Sequence, residues 1–263
     1  MNTGKRYFIP HFLIMVFLVC LSLGCGLFSF LEPAKKTAVP AEPGVTSEPG
    51  NVPAITLEGL YAEYAGEPQD MGGIGAYLNA GGAVERLQTL LTGIQTGTTE
   101  KIKAQILARD LTGDGCVDVI VSLALPTIPG YGDAIVAVYT CQGDQYVRHN
   151  LFGRVGAGSR GEGLFDGGGA RIETVQDLNA NGLPEILFFV PSLSELYIAA
   201  WDGAGFSSLV GWVDELGNPQ SSIPAREGAF EIVDLDQDGV LEVMVTDPPS
   251  LWRWDGALFQ QSG

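Results

Sequence analysis

The chain has 263 residues, a formal net charge of −17, 46% hydrophobic residues and 36 glycines. That length and apolar content suffice for one sizeable domain or two small ones, and the glycines favour many turns over long helices. The charge excludes a surface built to bind nucleic-acid phosphates or anionic lipid, and it attracts cations.

In chain order, Lys5 and Arg6 precede an uncharged, mostly apolar stretch from Tyr7 to Leu31. A basic start followed by an apolar run is the pattern of an export signal. Ser22-Leu23-Gly24-Cys25 resembles a bacterial lipobox, with small Gly24 before the lipidation candidate Cys25 and Ser22 where Leu is usual. The alternative is an uncleaved membrane anchor, because the run is long enough to span a bilayer. Either reading gives residues 1–25 to targeting and puts the rest outside the cytoplasm, membrane-anchored at the cell surface or in the periplasm. Residues 26–54 are proline-rich and read as a semi-extended linker. Residues 55–100 form a small helical segment, where Leu87, Leu90, Leu91 and Ile94 keep helical spacing between Gly81-Gly82 and Gly93.

Residues 101–263 are β-rich and repetitive. Three acidic loops align, starting 67 and 57 residues apart at Asp110, Asp177 and Asp234. Each follows a short apolar run, as at Ile102–Leu107, Ile172–Val175 and Phe230–Val233, and precedes a second strand. An aromatic strand and a glycine turn come next, as in Ala200-Trp201-Asp202-Gly203 and Arg253-Trp254-Asp255-Gly256, with Tyr146, Phe206 and Phe259 following in register. Four short antiparallel strands per repeat predict an all-β fold of propeller-like blades, three of them recognisable.

The loop pattern is D-x-[DNT]-x-[DN]-G-x-x-[DE]. Positions 1, 3, 5 and 9 carry side-chain oxygens in Asp110, Thr112, Asp114 and Asp118, in Asp177, Asn179, Asn181 and Glu185, and in Asp234, Asp236, Asp238 and Glu242. Glycine at position 6 permits a sharp reversal, which brings in the backbone carbonyls of Cys116, Leu183 and Val240 at position 7. So many hard oxygen ligands suit Ca²⁺, whereas Mg²⁺ demands a stricter octahedron. An EF-hand needs an acid at position 12, where this chain has Val121, Phe188 and Val245. The alternative for one such loop is a plain Asp/Asn/Gly turn, and three copies in register argue for the metal.

On these loops and strands the chain resembles the VCBS and FG-GAP repeat family, whose blades also occur in the integrin α-subunit propeller. The resemblance covers about Ala104 to Phe259. It implies Ca²⁺ held by the side chains at positions 1, 3, 5 and 9 of each loop, from Asp110, Asp177 and Asp234 to Asp118, Glu185 and Glu242, and a role in adhesion, ligand binding or complex assembly. The FG and GAP elements do not flank the loops, which favours the VCBS-like branch, and three repeats are fewer than a closed propeller needs.

Other chemistries fare worse. Beyond the signal the single histidine is His149, read as an exposed strand-end residue, which leaves no material for histidine zinc sites or a Ser-His-Asp triad. Gly156-Ala-Gly158-Ser-Arg-Gly161 matches a dinucleotide fingerprint but opens no helix. Trp201, Trp212, Trp252 and Trp254 could offer a sugar platform, with blade packing as the alternative. The expectation is a non-enzymatic, calcium-binding protein with a structural, adhesion or ligand-binding role, its partner an unknown protein or glycan. The alternative is a secreted carbohydrate-active hydrolase using surface carboxylates. Cys116 sits just before one strand where Cys141 ends its antiparallel neighbour, so an exported chain is expected to join them by a disulfide, with two buried free thiols as the alternative.

Overall fold

The computed structural model describes residues 52–64, 72–97, 101–128, 131–151, 164–166 and 169–262, all within one compact unit, Ser47–Gly263. The expected signal, Cys25, nearly all of the linker and the Gly156–Gly161 motif lie outside the described residues. Among the described residues no helix is long and apolar enough to cross a membrane.

Three short helices come first: α1 (Leu57–Tyr64), α2 (Ile74–Asn79) and α3 (Val84–Thr92). Leu87 and Leu91, one turn apart, are buried on α3, while Ile94 lies beyond the helix end. The remainder is mostly β-structure in four antiparallel sheets, and no closed barrel or propeller is found among the described strands.

The first sheet runs β1 (Lys103–Arg109), β2 (Asp118–Ile128), β3 (Tyr131–Gln142) and β4 (Gln145–Asn150). The second contains β6 (Arg171–Gln176), β7 (Glu185–Val190), β8 (Glu195–Trp201) and β9 (Phe206–Ser208), and the third β13 (Phe230–Val233), β14 (Glu242–Thr246), β15 (Pro249–Trp254) and β16 (Phe259–Ser262). A hairpin of β10 (Trp212–Val213) and β11 (Pro219–Gln220) stands apart as a two-stranded sheet.

Four strands per repeat describes the third sheet only. In the first, β5 (Leu164–Asp166) pairs with β3 beyond the reach of β4. In the second, β12 (Ile223–Pro224) and β9 pair with opposite ends of β8. The third strands, of 12 and 7 residues, outrun their 6- and 3-residue neighbours, so a later segment fills the exposed length of edge.

Stacked sheets account for the apolar pattern. Every residue of β7 is buried, because the middle sheet is covered on both faces. Ile186 and Phe188 meet Ile120, Val136 and Val138 of the first sheet in one core. Leu187 and Phe189, on the opposite face, meet Val243, Val245 and Trp252 of the third in another. The helices cover the outer face of the first sheet, where Leu60, Ile74 and Leu87 cluster with Val119, Val121 and Tyr139. Glu63 fixes this cap. Its carboxylate accepts bonds from the backbone N–H groups of Ile74 (2.7 Å) and Gly75 (2.9 Å) and from the Tyr139 hydroxyl (3.1 Å). Arg148 donates to the Glu63 carbonyl and lies over the Tyr64 ring.

The outer face of the third sheet has a different character. Leu187, Phe189 and Leu196, buried in the middle sheet, have Met244, Thr246 and Pro249 as repeat counterparts, with Thr246 and Pro249 exposed. Glu231 and Arg253 are exposed on the same sheet.

Candidate metal centre

The three loops fold alike because the same local bonds close each one. The position-1 carboxylate accepts from the position-6 N–H in every case: Asp110 from Gly115 (2.9 Å), Asp177 from Gly182 (2.8 Å) and Asp234 from Gly239 (3.2 Å). The position-5 side chain accepts from the position-7 N–H, at 2.8 Å for Asp114 and Cys116, 2.7 Å for Asn181 and Leu183, and 2.8 Å for Asp238 and Val240. The position-9 carboxylate turns back to the position-2 N–H, in Asp118 to Leu111, Glu185 to Leu178 and Glu242 to Leu235. Position 4 is left-handed throughout, with φ of 77° at Gly113, 57° at Ala180 and 63° at Gln237. The glycine rule at position 6 was readable in the sequence; the left-handed Ala180 and Gln237 were not, because neither residue type announces that conformation. At Gly113 a side chain would also meet Leu183, its Cβ coming 2.8 Å from Cδ2.

The loops differ in what these bonds leave over. In the third, Asp234, Asp236 and Glu242 offer oxygens that all lie within 4.8 Å of one another. Asp234 Oδ1 is buried and has no hydrogen-bond partner. Arg253 approaches Glu242 Oε1 only to 3.6 Å, beyond hydrogen-bond length. Asp238 is exposed, with Oδ1 bonded to Val240.

The first loop holds one orphaned buried oxygen, Thr112 Oγ1. Its closing acid, Asp118, is fully buried and engages both oxygens, accepting from Leu111 and from Cys141 at 2.8 Å each. Burial raises the Asp118 pKa, opposed by these two N–H donors, and nearby Asp114 and Asp110 raise it further. Cys116 and Cys141 form a disulfide across the start of β2 and the end of β3, with Cα atoms 5.7 Å apart.

The second loop is closed internally. Asn181 donates its side-chain amide to Glu185 Oε1 (3.4 Å), and its N–H bonds both Asp177 and Asn179. Glu185 is almost wholly buried, and that burial raises its pKa.

Position 2 ties the loops to the cores. Leu111 packs between the first and second sheets and Leu178 between the second and third, both fully buried. Leu235, the third copy, is 44% exposed. Neighbouring loops also touch, since Leu241 N–H donates to the Leu178 carbonyl at 2.8 Å.

His149 differs from its expected place. It lies within β4, half-buried, with Trp201 at 5.4 Å and Phe206 at 5.9 Å edge-on and the Thr140 hydroxyl 2.9 Å from Nε2. Burial lowers its pKa. Sequence reading missed this because the aromatic partners come from the next repeat. The four tryptophans do not form one platform: Trp252 is buried, Trp201 meets His149, and Trp212 leans on Trp252 at 5.9 Å.

No known protein family, curated protein or solved structure matches this chain.

Proposed function

We propose that this chain is an extracytoplasmic, membrane-anchored repeat protein whose β-domain is braced by Ca²⁺ and serves a structural, adhesive or ligand-binding role. The third loop carries the reading: three acids converge there around a buried carboxylate oxygen, Asp234 Oδ1, that has no protein donor. A buried carboxylate oxygen without a donor is costly, and a hard cation is the partner that geometry suits. Asp234, Asp236, Asp238 and Glu242, with the Val240 carbonyl, would hold the ion. When bound, the cation would neutralise these carboxylates and brace the loop between β13 and β14. The first loop fits less fully, through Asp110, Asp114 and Thr112, because Asp118 has both oxygens engaged. The second loop, its closing acid already bonded by an asparagine, fits least.

The VCBS-like reading rests on this shared loop and on the common strand order of the three sheets. We read the sheets as blade-like units in an open arc. The helical cap covers one end, and Glu231, Thr246 and Arg253 make the other polar, as a terminal repeat requires.

A melting experiment tests calcium bracing. The full chain should unfold at a lower temperature in chelator, reversibly, and Asp234→Asn with Asp236→Asn should remove most of the difference. Identical melting curves with calcium and with chelator would show these loops to be ordinary turns.

A further inference from the structure

Among the described residues the hairpin β10–β11 has no counterpart in the other repeats, and it forms one wall of an open cleft of about 550 Å³. The cleft lies between this hairpin and β16 and is lined by Trp212, Val213, Pro219, Gln220, Gln260 and Gln261. We propose that this cleft binds a neutral carbohydrate, with the Trp212 ring as its apolar platform and the three glutamines as its hydroxyl-reading groups.

The walls are fixed before any ligand arrives. Phe259 N–H donates to the Leu209 carbonyl at 2.6 Å, and Val210 bridges to Phe259, so the root of the hairpin is bonded to β16. Trp212 donates its indole N–H to the Ser222 carbonyl at 2.7 Å and packs edge-on against buried Trp252, which sets its ring plane. With its N–H committed, the half-buried indole can offer a ligand only apolar surface. The C–H groups of a pyranose carry slight positive charge and pack well on such a π face.

The amides are also pre-oriented. Gln220 donates from Nε2 to Asp214 at 2.9 Å, and Gln260 from Nε2 to Asp255 at 2.7 Å. An ionised carboxylate only accepts, so the nitrogen of each amide must face it. Both acids stay ionised: backbone N–H groups, from Asn218 on Asp214 and from Leu258 on Asp255, hold them below the usual carboxylate range. Each glutamine thus keeps a carbonyl oxygen and a second N–H in a set direction, a donor beside an acceptor, which matches a pair of adjacent sugar hydroxyls. Gln261 is exposed.

Charge narrows the ligand class. Every residue lining the cleft is uncharged in a molecule of net charge −17. An anion would be repelled by the surrounding surface, and a cation finds no ligand among the lining side chains that bears charge. The inference rests on the extracytoplasmic binding role proposed above, but it does not depend on the calcium loops.

The test uses the full chain, solubilised in a detergent without a sugar headgroup. Cellobiose, maltose and diacetylchitobiose are titrated separately by tryptophan fluorescence and calorimetry, in calcium and again in chelator at a temperature where the fold persists. At least one should bind saturably with a dissociation constant of about 1 mM or tighter. Gln261→Ala and Gln260→Ala should each weaken binding about fivefold to tenfold, with the melting temperature unchanged, and Trp212→Ala should abolish it. Failure of all three sugars, affinity unaltered by both glutamine variants, or saturable binding of an uncharged tetrapeptide alone would overturn the proposal. Sugar binding that survives in chelator supports the cleft even where calcium bracing fails its own melting test.

Discussion

The second and third loops share a backbone path and differ in chemistry. Both are closed by a position-1 carboxylate on a glycine N–H and by a position-9 acid on a leucine N–H. In the second, asparagines supply donors as well as acceptors, and Asn181 reaches the closing acid. In the third, aspartates, which only accept, replace them, and a buried oxygen is left over. The path is therefore a property of the turn, and the oxygen left without a donor is a property of the side chains placed on it.

Anchoring of the loops gives the sharpest way to break this comparison. Leu178→Ala should cost about 2–5 kcal/mol by opening a cavity between two sheets, whereas Leu235→Ala at the matching but exposed position should change stability within about 0.5 kcal/mol. Urea unfolding of the two variants measures both, and equal costs would mean that the outer face of the third sheet is covered in solution. The first loop offers a covalent contrast. Replacing Cys116 and Cys141 together by serine should lower stability by about 3 kcal/mol, and mass analysis with and without reductant checks the bridge itself. Calcium comes next: at a hundredfold excess over its dissociation constant it should add about 2.7 kcal/mol. Calorimetry should assign the tightest phase to the third loop and the weakest to the second, so Asp238→Ala should remove the first of these and Asn181→Ala should spare it.

The smallest expected effect concerns the two seams between sheets. The seam of the first and second sheets holds His149 against Trp201 and Phe206, and burial lowers its pKa, although Asp118 and Asp202 nearby pull it upward. A base with a lowered folded pKa leaves stability untouched at high pH and costs stability as pH falls through its unfolded value, about 6.5. Melting temperature should decline modestly on acidification in this range, and His149→Gln should flatten that decline. An identical pH dependence in the variant would remove His149 as its source.

The loops and their flanking strands were legible because local rules govern them: Asp and Asn bond their own turn, glycine marks the reversal, and a β-branched run follows. Phe230–Val233 matches its strand residue for residue. What escaped the sequence is set by partners far along the chain. The second half of the fourth-strand position in two sheets comes from β5 and β12, each short, and their pairing is decided by the length of β3 and β8. Gln105 gave no signal, yet its side chain bonds both backbone groups of Ile172 at 2.9 Å, splicing the first sheet to the second. The glutamines of the cleft look like ordinary surface residues until the hairpin brings β11 beside β16.

The Glu63 pin has a mechanical meaning. The helix α1, Leu57–Tyr64, is the first described element of the domain, so a pull from the N-terminal side meets the helices before the sheets. Both oxygens of one carboxylate there hold the first turn of α2 and the Tyr139 hydroxyl on the central strand of the first sheet. Load arriving at the helices is thus passed to the sheet in part through one buried carboxylate, beside the Asn79 bonds to Tyr146 and the shared apolar core.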